Sequence, residues 1–101
     1  MNIEEIAMEL VGNAGESRSL AFEALNAAKK GDYEEAEKKL KESKEKMLRA
    51  HHIQTELICK EADGEKVELG LIMVHAQDHL MTAILARDLI TEMIEVYKKI
   101  K

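Results

Sequence analysis

Between Leu69 and Ala86 the only formally charged residue is Asp78, and Leu71, Ile72, Met73, Val74, Ala83, Ile84, Leu85 and Ala86 cover every side of the helix this stretch would form. A helix that is apolar all round has to be buried all round. The chain has 101 residues, room for one domain (1–101) and one small core. Two companion helices from the same chain cannot enclose the third, so a second copy has to pack there, and a homo-oligomer with this helix at its centre is expected. Spanning a bilayer takes roughly 20 apolar residues. His75, Gln77, Asp78 and His79 interrupt the run, which excludes membrane insertion.

The remaining pattern is also helical. From Ile3 the apolar residues fall at Ile6, Ala7, Leu10, Val11, Ala14, Ala21, Leu25 and Ala28, at spacings of three and four, predicting a first helix from about Ile3 to Lys30. Gly12 and Gly15 inside it each cost about 1 kcal/mol relative to Ala, and they signal close packing, a kink or mere tolerance. Gly31 can end that helix in a left-handed conformation, and Asp32 with Glu35 has the spacing of a capping box. The second helix should turn Ala36, Leu40, Met47, Ala50 and Leu57 inward. Glu34/Lys38, Glu35/Lys39, Glu37/Lys41 and Glu42/Lys46 should pair along its solvated face. Ala62, Asp63 and Gly64 break the pattern, and a third helix should run from about Glu68 to the C-terminus. With no Pro, no Trp, three aromatics and many Ala, Leu, Glu and Lys, the expectation is an all-α, antiparallel up-down-up three-helix bundle.

The charge balance narrows the function. A net charge of −5, with Lys and Arg alternating with Glu, excludes nucleic acid and anionic membrane as partners. The lone Cys59 has no intrachain partner, and the acidic amphipathic start does not resemble a secretory signal, so a cytoplasmic protein is expected. Cys59 lacks a CxxC partner or an evident base and should be a small, buried or half-buried side chain. Of the six methionines, Met73, Met81 and Met93 should serve core and interface.

The chemistry concentrates in His75-Ala76-Gln77-Asp78-His79. His75, Asp78 and His79 stand at i, i+3 and i+4, on one face of a helix. A neutral imidazole has a lone pair for attack and can hold a phosphoryl group on nitrogen. Phosphoryl transfer asks further for alignment and for donors to the equatorial oxygens, a role open to Gln77, to His79 or to a neighbouring subunit. Other readings stand beside this one. The histidines can be structural, although two imidazoles next to an acid carry a desolvation cost that packing does not explain. His-x-x-Asp-His is similar in spacing to a zinc-peptidase signature, in a chain too small for a peptidase cleft. Around a symmetry axis, copies of Asp78 would repel, and a divalent cation such as Mg, preferred by all-oxygen ligands, or protonation would relieve them. In that last form the protein is a metal-stapled oligomerisation or adaptor module without phosphotransfer. His51, His52 and Gln54, late in the second helix, are packing, supporting or merely exposed residues.

Val-His-Ala-Gln-Asp-His-Leu-Met, residues 74 to 81, resembles the active-site signature of lactose/cellobiose-type IIA proteins of the sugar phosphotransferase system. The likeness extends to Ala14-Gly15 with Arg18, Gly31-Asp32, Ala50-His51 with Gln54-Thr55, and Glu61-Ala62 with Gly64. The signature, with Leu85 to Glu92, looks most like the cellobiose and diacetylchitobiose branch. The resemblance implies that His75 accepts phosphate from the histidine phosphocarrier protein and passes it to a cysteine of the cognate IIB. It implies Gln77 and His79 as supporting residues. It also implies a homotrimer of nine helices, in which Asp78 gives one carboxylate per subunit to a single metal, Mg by the oxygen-ligand argument, on the threefold axis.

Overall fold

Gly31 and Gly64 divide the chain into three helices: α1 (Ile3–Lys29), α2 (Tyr33–Ala62) and α3 (Leu71–Ile100). The protein is represented by a computed structural model that describes residues 2–100. The helices run up, down and up in an elongated bundle of 53 × 20 × 19 Å, as expected from the periodicity. Both turns close in the same way. Gly31 at φ 83° and Gly64 at φ 92° take the left-handed conformation that other residues resist. Asp32 N–H then bonds Ala27 O at 2.9 Å, and Glu65 N–H bonds Lys60 O at 3.0 Å, tying off orphan carbonyls at each helix end. Only half of the expected capping box forms: Asp32 Oδ1 accepts from Glu35 N at 3.1 Å, with no return bond among the described residues. α3 begins at Leu71 rather than Glu68. No side chain caps its start, and Gly70 is a poor helix former, so residues 65–70 stay irregular.

Along α1, Ala7, Leu10, Ala14, Ser17, Ala21, Ala24 and Ala28 are buried, alternating by three and four residues in a strict heptad. α1 is the central element: it lies against both neighbours, whereas α2 and α3 meet only sparsely. Nine of the seventeen buried apolar residues among those described are Ala, so the helices approach closely around few large side chains. The interior falls into two apolar clusters. Ala7 to Ala14 of α1 pack with Ala50, Leu57 and the Met73–Ala83 part of α3, and Ala21 to Ala28 pack with Ala36, Leu40, Ile90 and Ile94.

Between the clusters lie Ser17 and Ser43, both fully buried. Ser17 Oγ donates to Ser43 O at 2.8 Å, and Ser43 Oγ donates to Ser17 O at 2.7 Å, fixing the register of α1 on α2. Ser43 therefore takes the inward place that apolar patterning assigns to Met47, which is only half-buried. Ser43→Ala should destabilise the protein by about 1–2 kcal/mol. Ser43→Val should add about 1–3 kcal/mol of overpacking, because it brings a second γ atom between two touching helices. Urea unfolding of the three chains at one concentration measures both steps.

The surface corrects two further expectations, the α2 charge pairs and Cys59, and leaves one face of α3 open as expected of a helix that two companions cannot enclose. None of the four pairs along α2 forms among the described residues; members of three of them bridge to other helices instead, Lys39 Nζ to Glu23 at 3.0 Å, Lys46 Nζ to Glu16 at 3.4 Å and Lys98 Nζ to Glu37 at 2.7 Å. Long side chains at the helix seams reach carboxylates across the groove as easily as one turn along. Cys59 is exposed rather than buried, since it points away from α1. α3 is covered on one face alone, through Met73, Ala76, Leu80, Ala83, Ile90 and Ile94. The opposite face carries Leu71, Val74, Met81, Leu85, Leu89, Met93 and Val96, all exposed in the single chain and interrupted by Asp78. Met73 is thus core, while Met81 and Met93 belong to the open stripe.

Candidate functional site

His75 sits at the edge of this stripe, with its side chain 62% exposed. One turn on, His79 leans towards α1 and is half-buried, its ring centroid 5.5 Å from that of His75 and tilted by 38°. The expected close packing at a glycine of α1 occurs at Gly15. A Cβ built there would lie 3.3 Å from His79 Nε2, so the missing side chain seats the imidazole. At Gly12 the same construction meets nothing within 4 Å, leaving open space beside the ring. α1 runs through both positions as one continuous helix.

The face shared by His75, Asp78 and His79 is formed as the spacing predicts. His75 Nδ1 lies 3.5 Å from Asp78 Oδ1, a charge-pair distance rather than a strong hydrogen bond. The carboxylate favours a proton on Nδ1, and Nε2 then holds the lone pair, with no hydrogen-bond partner among the described residues. Burial lowers the pKa of His79 below the ordinary histidine value, and the positive charges of Arg18 and of protonated His75 act in the same direction, against a smaller opposing effect of Asp78. Burial therefore favours the neutral form of His79.

Gln77 is placed elsewhere. Its Oε1 accepts from Gln54 Nε2 of α2 at 2.7 Å, and its Nε2 lies 3.4 Å from Met73 Sδ. Two residues along a helix turn the side chain by about 200°, which carries Gln77 to the α2 seam, away from His75 of the same chain. His51 and His52 are both exposed on α2; His52 Nε2 lies 3.5 Å from Glu56, and the His51 carbonyl accepts from Thr55 Oγ1. Sequence reasoning flagged Gly15 as a possible close contact but missed its partner His79, and it missed the Gln54–Gln77 bond, since contacts between distant parts of the chain leave no local signal of the partner. Among the described residues no three His, Cys, Asp or Glu side chains converge closely enough to hold a metal ion, which removes the zinc reading within one chain. Asp78 is the stripe carboxylate at the level of His75 and His79, with Glu92 two heptads further along, so a cation site at this level needs copies of the chain to bring several Asp78 carboxylates together.

The sequence profile of the family described as "PTS system, Lactose/Cellobiose specific IIA subunit" matches residues 5–98. The chain belongs to this IIA family. It is a phosphotransferase-system IIA component of the lactose/cellobiose type. The lichenan-specific phosphotransferase enzyme IIA component of Bacillus subtilis is 53% identical over 97% of this chain and 89% of its own length. Among solved structures, the cellobiose-specific enzyme IIA of Bacillus anthracis superposes with a TM-score of 0.94 at 46% identity, covering 99% of this IIA chain and 93% of that one. The IIA(chitobiose) of Escherichia coli, solved in complex with HPr, superposes with a TM-score of 0.86 at 45% identity over 99% and 97% of the two chains. No helix among the described residues of this IIA component is long and apolar enough to cross a membrane.

Proposed function

We propose that His75 is the phosphoryl acceptor of this IIA component, taking phosphate from the histidine phosphocarrier protein and yielding it to a cysteine of the cognate IIB during uptake of a β-linked disaccharide such as cellobiose or diacetylchitobiose. One observation carries the reading: an exposed imidazole whose Nδ1 faces Asp78 at 3.5 Å, leaving Nε2 as the available nucleophile. As Nε2 forms its bond to phosphorus, the N–P bond of the donor phosphohistidine breaks and the donor ring regains its lone pair. The ring of His75 becomes more positive as it accepts, and the Asp78 carboxylate opposes that charge at Nδ1–H. A thiolate of IIB then attacks the same phosphorus and the Nε2–P bond breaks. No base on this chain is needed for a neutral nitrogen. The IIA relative solved with HPr supports the donor.

The reaction belongs to the cytoplasm, where both partners work, and to a homotrimer in which three α3 stripes cover one another. In that assembly three Asp78 carboxylates approach the axis and would hold one divalent cation, Mg by preference, that neutralises their repulsion. Sedimentation of wild type and Asp78→Leu with and without chelator tests the metal. The expected result is a wild-type assembly that loosens in chelator and a leucine variant that stays intact in both conditions. A wild type indifferent to chelator removes the metal.

Intact mass spectrometry after incubation with phosphoenolpyruvate and the two general phosphotransferase proteins tests the carrier reading. One acid-labile phosphoryl group per chain is expected. No gain, with donors shown to be active, sinks it and leaves the metal-stapled adaptor as the account of the same residues.

A further inference from the structure

We propose that Arg18 is the phosphoryl-binding residue of the site, its guanidinium closing on the phosphoryl oxygens carried by His75. This rests on the carrier reading above. Asp78 is the one acid on the site's face, and a phosphoryl group arriving beside it brings about two further negative charges. The reaction needs a cation, and α3 carries none before Arg87, which is engaged at 3.3 Å with the Leu40 carbonyl. Within the chain, α1 is the helix that touches His79, and it carries a cation beside that contact.

Arg18 is placed for that task. α1 and α3 run in the same direction, and Gly15 marks the level at which α1 touches His79. Arg18 is one turn further on, on the same face, and helix side chains lean towards the N-terminus, which carries its guanidinium back over Gly15 towards the imidazoles. Gly12, Gly15, Arg18 and His79 share the lining of one open surface cavity of about 680 Å³. Without side chains, Gly12 and Gly15 leave that trough clear.

Arg18 is also available. It forms no ion pair or side-chain hydrogen bond among the described residues, although it is half-buried. Of the four carboxylates lining the cavity, Glu16 is held by Lys46 and Glu23 by Lys39, and Glu42 and Glu45, which come from α2, form no ion pair with Arg18 among the described residues. A half-buried guanidinium left without a carboxylate, beside an imidazole, is an anion site waiting for its anion. The planar fork matches phosphoryl oxygens in a way that an ammonium does not.

The test follows phosphoryl transfer from the phosphocarrier to wild type, Arg18→Gln and Arg18→Lys by intact mass, with the phosphorus NMR resonance of each phosphorylated chain. Arg18→Gln should still be modified on His75, since the nucleophile is untouched. It should be slower by about 10- to 100-fold, the worth of a charge-assisted hydrogen bond, and its phosphorus resonance should move. Arg18→Lys should recover part of the rate, which a packing role for Arg18 would not give. Rates within twofold of wild type and an unmoved resonance overturn the assignment while leaving the carrier reading in place. A wild type that never takes up phosphate overturns both.

Discussion

His75→Ala should remain at its unmodified mass under conditions in which the wild type gains one phosphoryl group per chain. The variant removes the atom that forms the new bond, so the loss is of the whole reaction rather than of a contribution to its rate. His79→Ala provides the contrast. It takes away a neighbouring imidazole and leaves Nε2 of His75 in place, so modification should continue at a reduced rate. The fold should tolerate both changes. The His75 side chain is largely in solvent, and His79 rests on a glycine rather than inside the apolar clusters. Far-UV circular dichroism of the two variants verifies this. A phosphoryl group retained by His75→Ala would move the site to another nucleophile.

The second large effect concerns assembly. Leu85 is 59% exposed in the single chain and lies in the middle of the α3 stripe, one turn beyond Met81. Leu85→Lys places three ammonium groups at the centre of a trimer that closes over this stripe. Burying them costs several kcal/mol each, a sum of roughly 10 kcal/mol or more. Light scattering should therefore show monomers, with helicity retained because Leu85 contributes little to the protomer interior. The alanine-rich core makes helicity at a lower melting temperature the expected form of that monomer. A variant that still assembles as a trimer would place the interface on another face.

The residues behind these predictions differ in how far the sequence announces them. The turn at Gly31 and the break at Gly64 were readable because a left-handed glycine is a local requirement of the backbone. The start of α3 was not, since Gly70 and the segment before it carry no capping residue to mark it. Polarity alone could not place Ser43, whose burial depends on a hydroxyl and a carbonyl brought together from α1. Spacing alone placed His75, Asp78 and His79 on one face. Only rotation about the helix axis, combined with knowing which side meets α2, separates Gln77 from them. The seat of His79 at Gly15 is a contact between distant parts of the chain, visible in sequence only as an unexplained glycine.

The reciprocal serines have a consequence for how the molecule breathes. A polar layer across an otherwise apolar interior interrupts the cooperativity of packing, so each end of the bundle can open with the other still closed. The end near Gly31 is a tight hairpin, joined by a short turn and closed by Ile90 and Ile94. The other end has an irregular connection at 65–70 and the weakly capped start of α3. His75 and His79 belong to that second half, about one and two turns from the start of α3. The face proposed to handle phosphoryl groups thus sits on the half of the bundle whose end is less firmly tied, where the first turn of α3 has the fewest local constraints.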